Sequence, residues 1–189
     1  DALAEGFPTE AWGPEELSRI AADMRRRLDD AVAVVEALEP YRERLQQTFD
    51  ALLEIAEPVV AQRIHGDYHL GQTLRTSRGW RIVDFEGEPA KPLAERVRPD
   101  SRWRDVAGML RSFDYASRVV EADIEDPSPQ IAYRAHEWSD RNREAFLAGY
   151  VGEGEGTTEG AVASMKPSER ALLRAYEADK AVYETVYEA

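Results

Sequence analysis

The run His65-Gly66-Asp67-Tyr68-His69-Leu70-Gly71-Gln72, followed by Asp84-Phe85-Glu86, constrains this chain more than any other feature. Phosphoryl transfer from ATP asks little covalent chemistry of a protein. It needs an aspartate to orient an acceptor hydroxyl and take its proton, and an amide with a second carboxylate to hold Mg2+ on the phosphates. Asp67, Gln72 and Asp84 stand in that order, at H-x-D-x-x-x-x-(N/Q) and D-F-x spacing. The residues between them predict a loop joining two short strands. Gln62-Arg63-Ile64 runs in, Trp80-Arg81-Ile82-Val83 brings Asp84 back alongside, and Thr76-Ser77-Arg78-Gly79 reads as the turn. The spacing is that of a kinase-type active site.

Taken singly, each residue has a plainer reading. Asp67 in a His-Gly-Asp turn caps backbone groups, and Asp84 does the same at a strand end. Gln72 alone says nothing. His65 reads as a residue that packs and hydrogen-bonds within the loop. His69 either lines an acceptor pocket or is a buried, satisfied histidine. The order and spacing of all four elements together carry the reading.

Composition bounds the rest. At 189 residues the chain suits one domain with a real core. It has no cysteine, which excludes disulfides and thiolate metal sites. No apolar run is long enough to span a membrane and no leader pattern opens the chain, so a cytoplasmic protein is expected. A net charge of -13 argues against nucleic acid, whose phosphates it repels. Mg2+ and local basic groups still allow ATP.

Around the motif the pattern is helical. Leu17, Ile20, Met24, Leu28, Ala31, Val32 and Val35 recur at helical spacing after Pro14-Glu15-Glu16. A second helix runs from Pro40, with Tyr41, Leu45, Phe49, Leu52 and Ile55 on one face, and stops before Pro58. A loop punctuated by Pro89, Pro92 and Pro99 carries Glu86, Glu88, Lys91, Glu95 and Arg96. Asp100 or Ser101 then caps a helix with Val106, Met109, Leu110, Phe113 and Val120 as its stripe and Trp103 packed at its first turn. Another helix spans Ser128 to Tyr150, with Ile131, Ala135, Trp138, Asn142 and Phe146 near one face. The acidic, glycine-rich run 152–160 predicts a loop, and a last helix after Pro167 carries Leu172, Leu173, Tyr176, Ala181, Tyr183 and Tyr187. Upstream of His65 there is no glycine-rich phosphate loop and no strand-borne lysine. The expected fold class is α+β, predominantly helical: the C-terminal lobe of a eukaryotic-protein-kinase-like fold, with a small β-hairpin carrying the active site and the N-terminal nucleotide lobe absent. Residues 1–189 form that lobe, with a helical part at about 14–58, catalytic and metal loops at about 63–96, and a helical part at about 100–189.

HGDYHLGQTLR, DFEGEPAKPLAER and RDVAGMLRSFDYA resemble the maltokinases, sugar kinases of the aminoglycoside-phosphotransferase-like group. The resemblance runs from about Arg63 to Tyr115, and the terminal EADKAVYETVYEA resembles that family's last helices. It implies ATP-dependent phosphorylation of maltose at the anomeric hydroxyl, giving maltose 1-phosphate for α-glucan synthesis, often beside trehalose synthase. By position, Asp67 matches the catalytic aspartate, Gln72 the metal-binding amide and Asp84 the metal-binding aspartate. Glu86 replaces the protein-kinase glycine and either adds a metal or acceptor contact or stabilises the loop. With the nucleotide lobe missing, the chain alone is expected to be inactive.

Tyr183 and Tyr187 lie four apart on one helix face. They either stack on a sugar ring and bond its oxygens or belong to the core stripe. Glucosamine kinases are the competing reading, and there an acidic group should pair with the substrate ammonium. Glu184 and Glu188 project from another part of the helix, so tyrosines here suit a neutral disaccharide. A non-catalytic kinase-like scaffold is the alternative from another class.

Overall fold

The computed structural model describes residues 2–88, 92–124, 128–152 and 162–188. Most of the glycine-rich run 152–160, with Pro89, Lys91 and Ala189, lies outside them.

The chain forms two compact units, each built from separated stretches. One comprises Asp1–Tyr68, Asp84–Gly108 and Pro167–Ala189; the other comprises His69–Val83 and Met109–Lys166.

In the first unit, helix α1 (Ala2–Gly6) and strand β1 (Glu10–Trp12) precede helix α2 (Pro14–Val34). Pro14 opens α2, and the Glu16 carboxylate accepts the Gly13 N–H at 3.0 Å, satisfying one of the donors a helix start leaves unpaired. Leu17, Ile20, Met24, Leu28, Ala31 and Val32 are buried as their spacing predicts, with Ala21 added. The second predicted helix is broken into a 3-10 turn (Glu36–Tyr41), α3 (Arg42–Asp50) and another 3-10 turn (Ala51–Glu54). Phe49, Leu52 and Ile55 are buried, but Tyr41, beside Pro40, is exposed. Proline at that point removes a helical hydrogen bond and turns the ring out of the stripe.

Strand β2 (Val59–Gln62) pairs antiparallel with β1 on one side and with β5 (Asp100–Ser101) on the other. The predicted pairing of Gln62-Arg63-Ile64 with Trp80-Arg81-Ile82-Val83 is therefore corrected. β2 ends one residue into the predicted strand, and its partners are chain segments whose short, weakly alternating sequences gave no strand signal. Helix α5 (Arg102–Ala122) begins where β5 ends. Ser101 Oγ accepts the Trp103 N–H and so caps the helix, whereas Asp100 accepts the N–H of its neighbour Ser101. Trp103 and Val106 are buried. The last helix, α7 (Pro167–Tyr187), packs against α2 and α3, burying Leu172, Leu173, Ala175, Tyr176 and Val182.

In the second unit, β3 (Thr73–Thr76) and β4 (Gly79–Ile82) form a hairpin across the predicted turn, with Gly79 at φ +105°. The later part of α5 buries Met109, Leu110 and Phe113, whereas Val120 is exposed. Helix α6 (Pro129–Val151) buries Ser139, Leu147 and Ala148; on the predicted face Ile131, Ala135, Asn142 and Phe146 are half-buried, and Trp138, though exposed, meets the Phe113 ring as Phe146 does. Ser139 earns its burial by donating to Asp114, which also takes Arg143 at 2.9 Å. No described helix is long and apolar enough to cross a membrane.

Candidate active site

The loop of Asp67 leaves β2 through Ile64 and His65, both buried. Its first two backbone donors turn towards α5. Asp105, on the first turn of α5, accepts both: His65 N–H at 2.7 Å and Gly66 N–H at 2.9 Å. Burial raises the Asp105 carboxyl above its ordinary range, and the two backbone donors and nearby His65 and Arg104 pull it back. His65 packs against Tyr68 and Phe85, with ring centroids at 5.6 and 4.8 Å, and its Nδ1 accepts the Asp67 N–H at 3.4 Å. The histidine thus shapes the loop, as expected. Gly66 sits at φ +87°, a conformation that side chains resist. At the loop's far end, a Cβ on Gly108 would lie 2.7 Å from the Tyr68 carbonyl oxygen. Only glycine lets α5 approach the loop so closely. Asp67 itself is half-buried, at the edge between this packed base and solvent.

The second loop follows β4. Asp84, Phe85 and Glu86 are exposed, and Asp84 has φ 63°, the single positive φ at a non-glycine residue among those described. Aspartate tolerates the left-handed region better than most residues, yet the position is costly enough to ask what it serves. Arg63 ties the loop down from one side, donating to the Phe85 and Arg96 carbonyls at 3.0 and 2.8 Å. Gly87 (φ +75°) turns the chain inward, its Cα close to Gly66, so the two loops touch.

Glu88 then enters a chain of polar contacts. Arg104 reaches Asp100 at 2.8 Å and Glu88 at 3.4 Å, and Tyr176 donates to Asp100 at 2.5 Å. The Tyr183 hydroxyl hydrogen-bonds Glu88, and its phenol is raised by partial burial and by Glu88, with Tyr187 and Asp67 adding to the effect. Tyr183 and Tyr187 are stacked, 6.5 Å apart at 19°, and are 40% and 82% exposed. They are therefore not part of the α7 core stripe.

His69 and Gln72 fall in the second unit. His69 Nδ1 accepts the Gly71 N–H at 3.1 Å, capping the turn Leu70–Gln72. Gln72 is held through its backbone, donating to His69 O at 2.9 Å and accepting from Val83 N–H at 3.0 Å, which ties it to the strand that leads into Asp84.

Among the described residues no three His, Asp or Glu side chains gather as a metal centre. Mg2+ asks for less: one or two protein oxygens, completed by phosphates and water. The exposed carboxylates of Asp84 and Glu86 offer oxygens of that kind.

Four residues were not singled out from sequence: Asp105, Gly108, Glu88 and Arg104. The first two occur as Asp105-x-x-Gly108 at a helix start, where an acid and a glycine one turn apart face the same neighbour. Glu88 and Arg104 carry no local signal, because their partners lie far along the chain.

A kinase-like lobe whose motif aspartate sits on a buried, doubly anchored loop belongs to the phosphotransferases in class. The chain belongs to the phosphotransferase enzyme family, whose profile matches residues 2–155. It is 34% identical over 148 residues, 74% of its length, to a glucosamine kinase of Streptacidiphilus jiangxiensis, of which it covers 30%. It is 37% identical over 86 residues, 45% of its length, to a glucosamine kinase of Mycolicibacterium smegmatis, of which it covers 21%. A crystal structure of a glucosamine kinase superposes on 98% of the chain with a TM-score of 0.80 and 27% identity, the chain covering 44% of it. A glucosamine kinase in complex with glucosamine, ADP and inorganic phosphate matches with a TM-score of 0.79 and 27% identity, over 98% of this chain and 43% of that one. The chain thus spans less than half the length of these relatives.

Proposed function

We propose that this chain is the catalytic and acceptor-binding lobe of an ATP-dependent sugar kinase, and that its acceptor is an amino sugar, glucosamine first. One observation carries the reading. Asp67 stands on a loop fixed by Asp105, and the Tyr183 hydroxyl lies within its electrostatic reach. Relatives of the matching family that act on glucosamine support the acceptor class.

In this reading Asp67 accepts a hydrogen bond from the acceptor hydroxyl and takes its proton as the γ-phosphoryl group passes across. The fixed loop prepays the orientation, which is the main thing a protein contributes to such a transfer. Asp84 and Gln72 would hold Mg2+, with Glu86 as a third oxygen. The ion would neutralise charge on the phosphates. Tyr183 and Tyr187 offer ring faces and hydroxyls to the sugar, and His69 lies next along the chain as an acceptor contact. The nucleotide roof would come from an N-terminal lobe of the same protein.

The exposed, stacked Tyr183–Tyr187 pair favours a second reading, in which the acceptor is a disaccharide such as maltose. Stacked rings present a longer platform than one hexose needs. Association with trehalose synthase belongs to that reading alone.

The test is ADP release by the full-length protein with Mg-ATP, comparing glucosamine, maltose, glucose and no sugar. Glucosamine-dependent release is expected. Release with maltose alone replaces the amino sugar by the disaccharide. Absence of sugar-dependent release leaves a kinase-like scaffold.

A further inference from the structure

From the contacts around α7 we infer that Glu88 is the group that recognises the substrate ammonium, aimed by Tyr183 and Arg104. This rests on the amino-sugar reading and names the residue that would make it specific. Glu184 and Glu188 share the helix of the two tyrosines, yet the carboxylate that meets the Tyr183 hydroxyl comes from the Asp84 loop. The Glu88 side chain is only 13% exposed, against exposed Glu86 two residues earlier. Its place is set from two sides: Tyr183 donates from α7, and Arg104 approaches from α5 at 3.4 Å.

Arg104 gives one guanidinium nitrogen to Asp100 at 2.8 Å and the other to Glu88 at the longer distance of 3.4 Å. Asp67 acts on the same tyrosine hydroxyl. A partly buried carboxylate binds an ammonium more strongly than a solvated one. Lys180 already lies 5.1 Å from the Tyr183 ring centroid, so the tyrosine contributes its hydroxyl here rather than a free cation-binding face.

Glucose and glucosamine differ only in a hydroxyl against an ammonium, which isolates this contact. Calorimetric binding of each sugar, and turnover of each with Mg-ATP, are measured on full-length wild type, Glu88→Gln and Tyr183→Phe, with thermal unfolding as the control for fold. Gln keeps the shape and the acceptor for Tyr183 but removes the charge. Glu88→Gln should weaken glucosamine binding by about 10- to 100-fold, the size of a hydrogen bond to a charged group, and leave glucose within about twofold. Tyr183→Phe should lower the glucosamine preference by about 3- to 10-fold, as expected for losing one neutral hydrogen bond that aims the carboxylate. Equal weakening toward both sugars, no weakening, or no glucosamine binding by wild type overturns the assignment. Glucosamine binding lost in Glu88→Gln, in a protein that turns over no sugar, keeps Glu88 and removes the kinase reading. Glucosamine turnover indifferent to Glu88→Gln keeps the kinase and removes Glu88.

Discussion

The loop of Asp67 and the loop of Asp84 touch where Gly66 meets Gly87, but the chain holds them by different means. The first is built from inside. Its donors end on a buried carboxylate, its histidine is buried between aromatic rings, and a helix glycine leaves room for its carbonyl. The second is pinned from behind by Arg63, while its three leading side chains face solvent and Asp84 keeps a left-handed backbone. The comparison separates two jobs. In the roles proposed above, a base must be in place before substrate arrives, whereas a metal ligand is completed by the ion and phosphates it binds. The first loop therefore invests in protein contacts, and the second leaves its oxygens open.

The sharpest way to break that contrast is Asp105→Ala. It strands two inward backbone donors, so stability should fall by about 2–4 kcal/mol, with turnover falling alongside. Urea unfolding checks it; an unchanged midpoint would mean that the loop is held by something else. Gly108→Ala comes next. A Cβ 2.7 Å from the Tyr68 oxygen must push loop or helix aside, costing about 1–3 kcal/mol and displacing Asp67. A variant as active and stable as wild type would show that the approach is looser than drawn.

Tyr176→Phe probes the network behind the acceptor helix. Burial, then Asp100, raise the Tyr176 phenol well above its ordinary value of about 10. A raised folded pKa means that the protonated group stabilises the fold up to about pH 10 and ceases to as pH climbs through the folded value. The variant should lose about 1 kcal/mol at neutral pH and show a shallower alkaline decline. Equal alkaline slopes in thermal unfolding would contradict it. Asp84→Gly should move stability least, within about 0.5 kcal/mol, because relief of the left-handed backbone and the greater freedom of unfolded glycine oppose each other. Its Mg2+ dependence should nevertheless change sharply. A large stability loss with normal Mg2+ response would make Asp84 structural.

Local signals carried much of this into the sequence. The stripe of α2, the turn before Gly79 and the cap at Ser101 depend on neighbours within one or two turns, and each was legible. The motif residues stand out because phosphoryl transfer asks for such a spacing, and their roles are those proposed above. What was not legible depends on distant segments. β2 pairs with β1 and β5, thirty or more positions away in one direction or the other, and strands of two to four residues leave almost no periodicity. Glu88 was missed because its partner Tyr183 lies at the far end of the chain. On α6 the burial of Ser139 was missed because it serves Asp114, a polar reason that hydrophobic spacing does not report.

The central claim is that Asp67 is the base on a loop built to hold it. Asp67→Asn in the full-length protein tests it most directly, with ADP release and thermal unfolding measured side by side. Loss of about 10²- to 10⁴-fold in sugar-dependent turnover, with an unfolding midpoint close to wild type, is the predicted result. Near-normal turnover by a folded Asp67→Asn protein would contradict it.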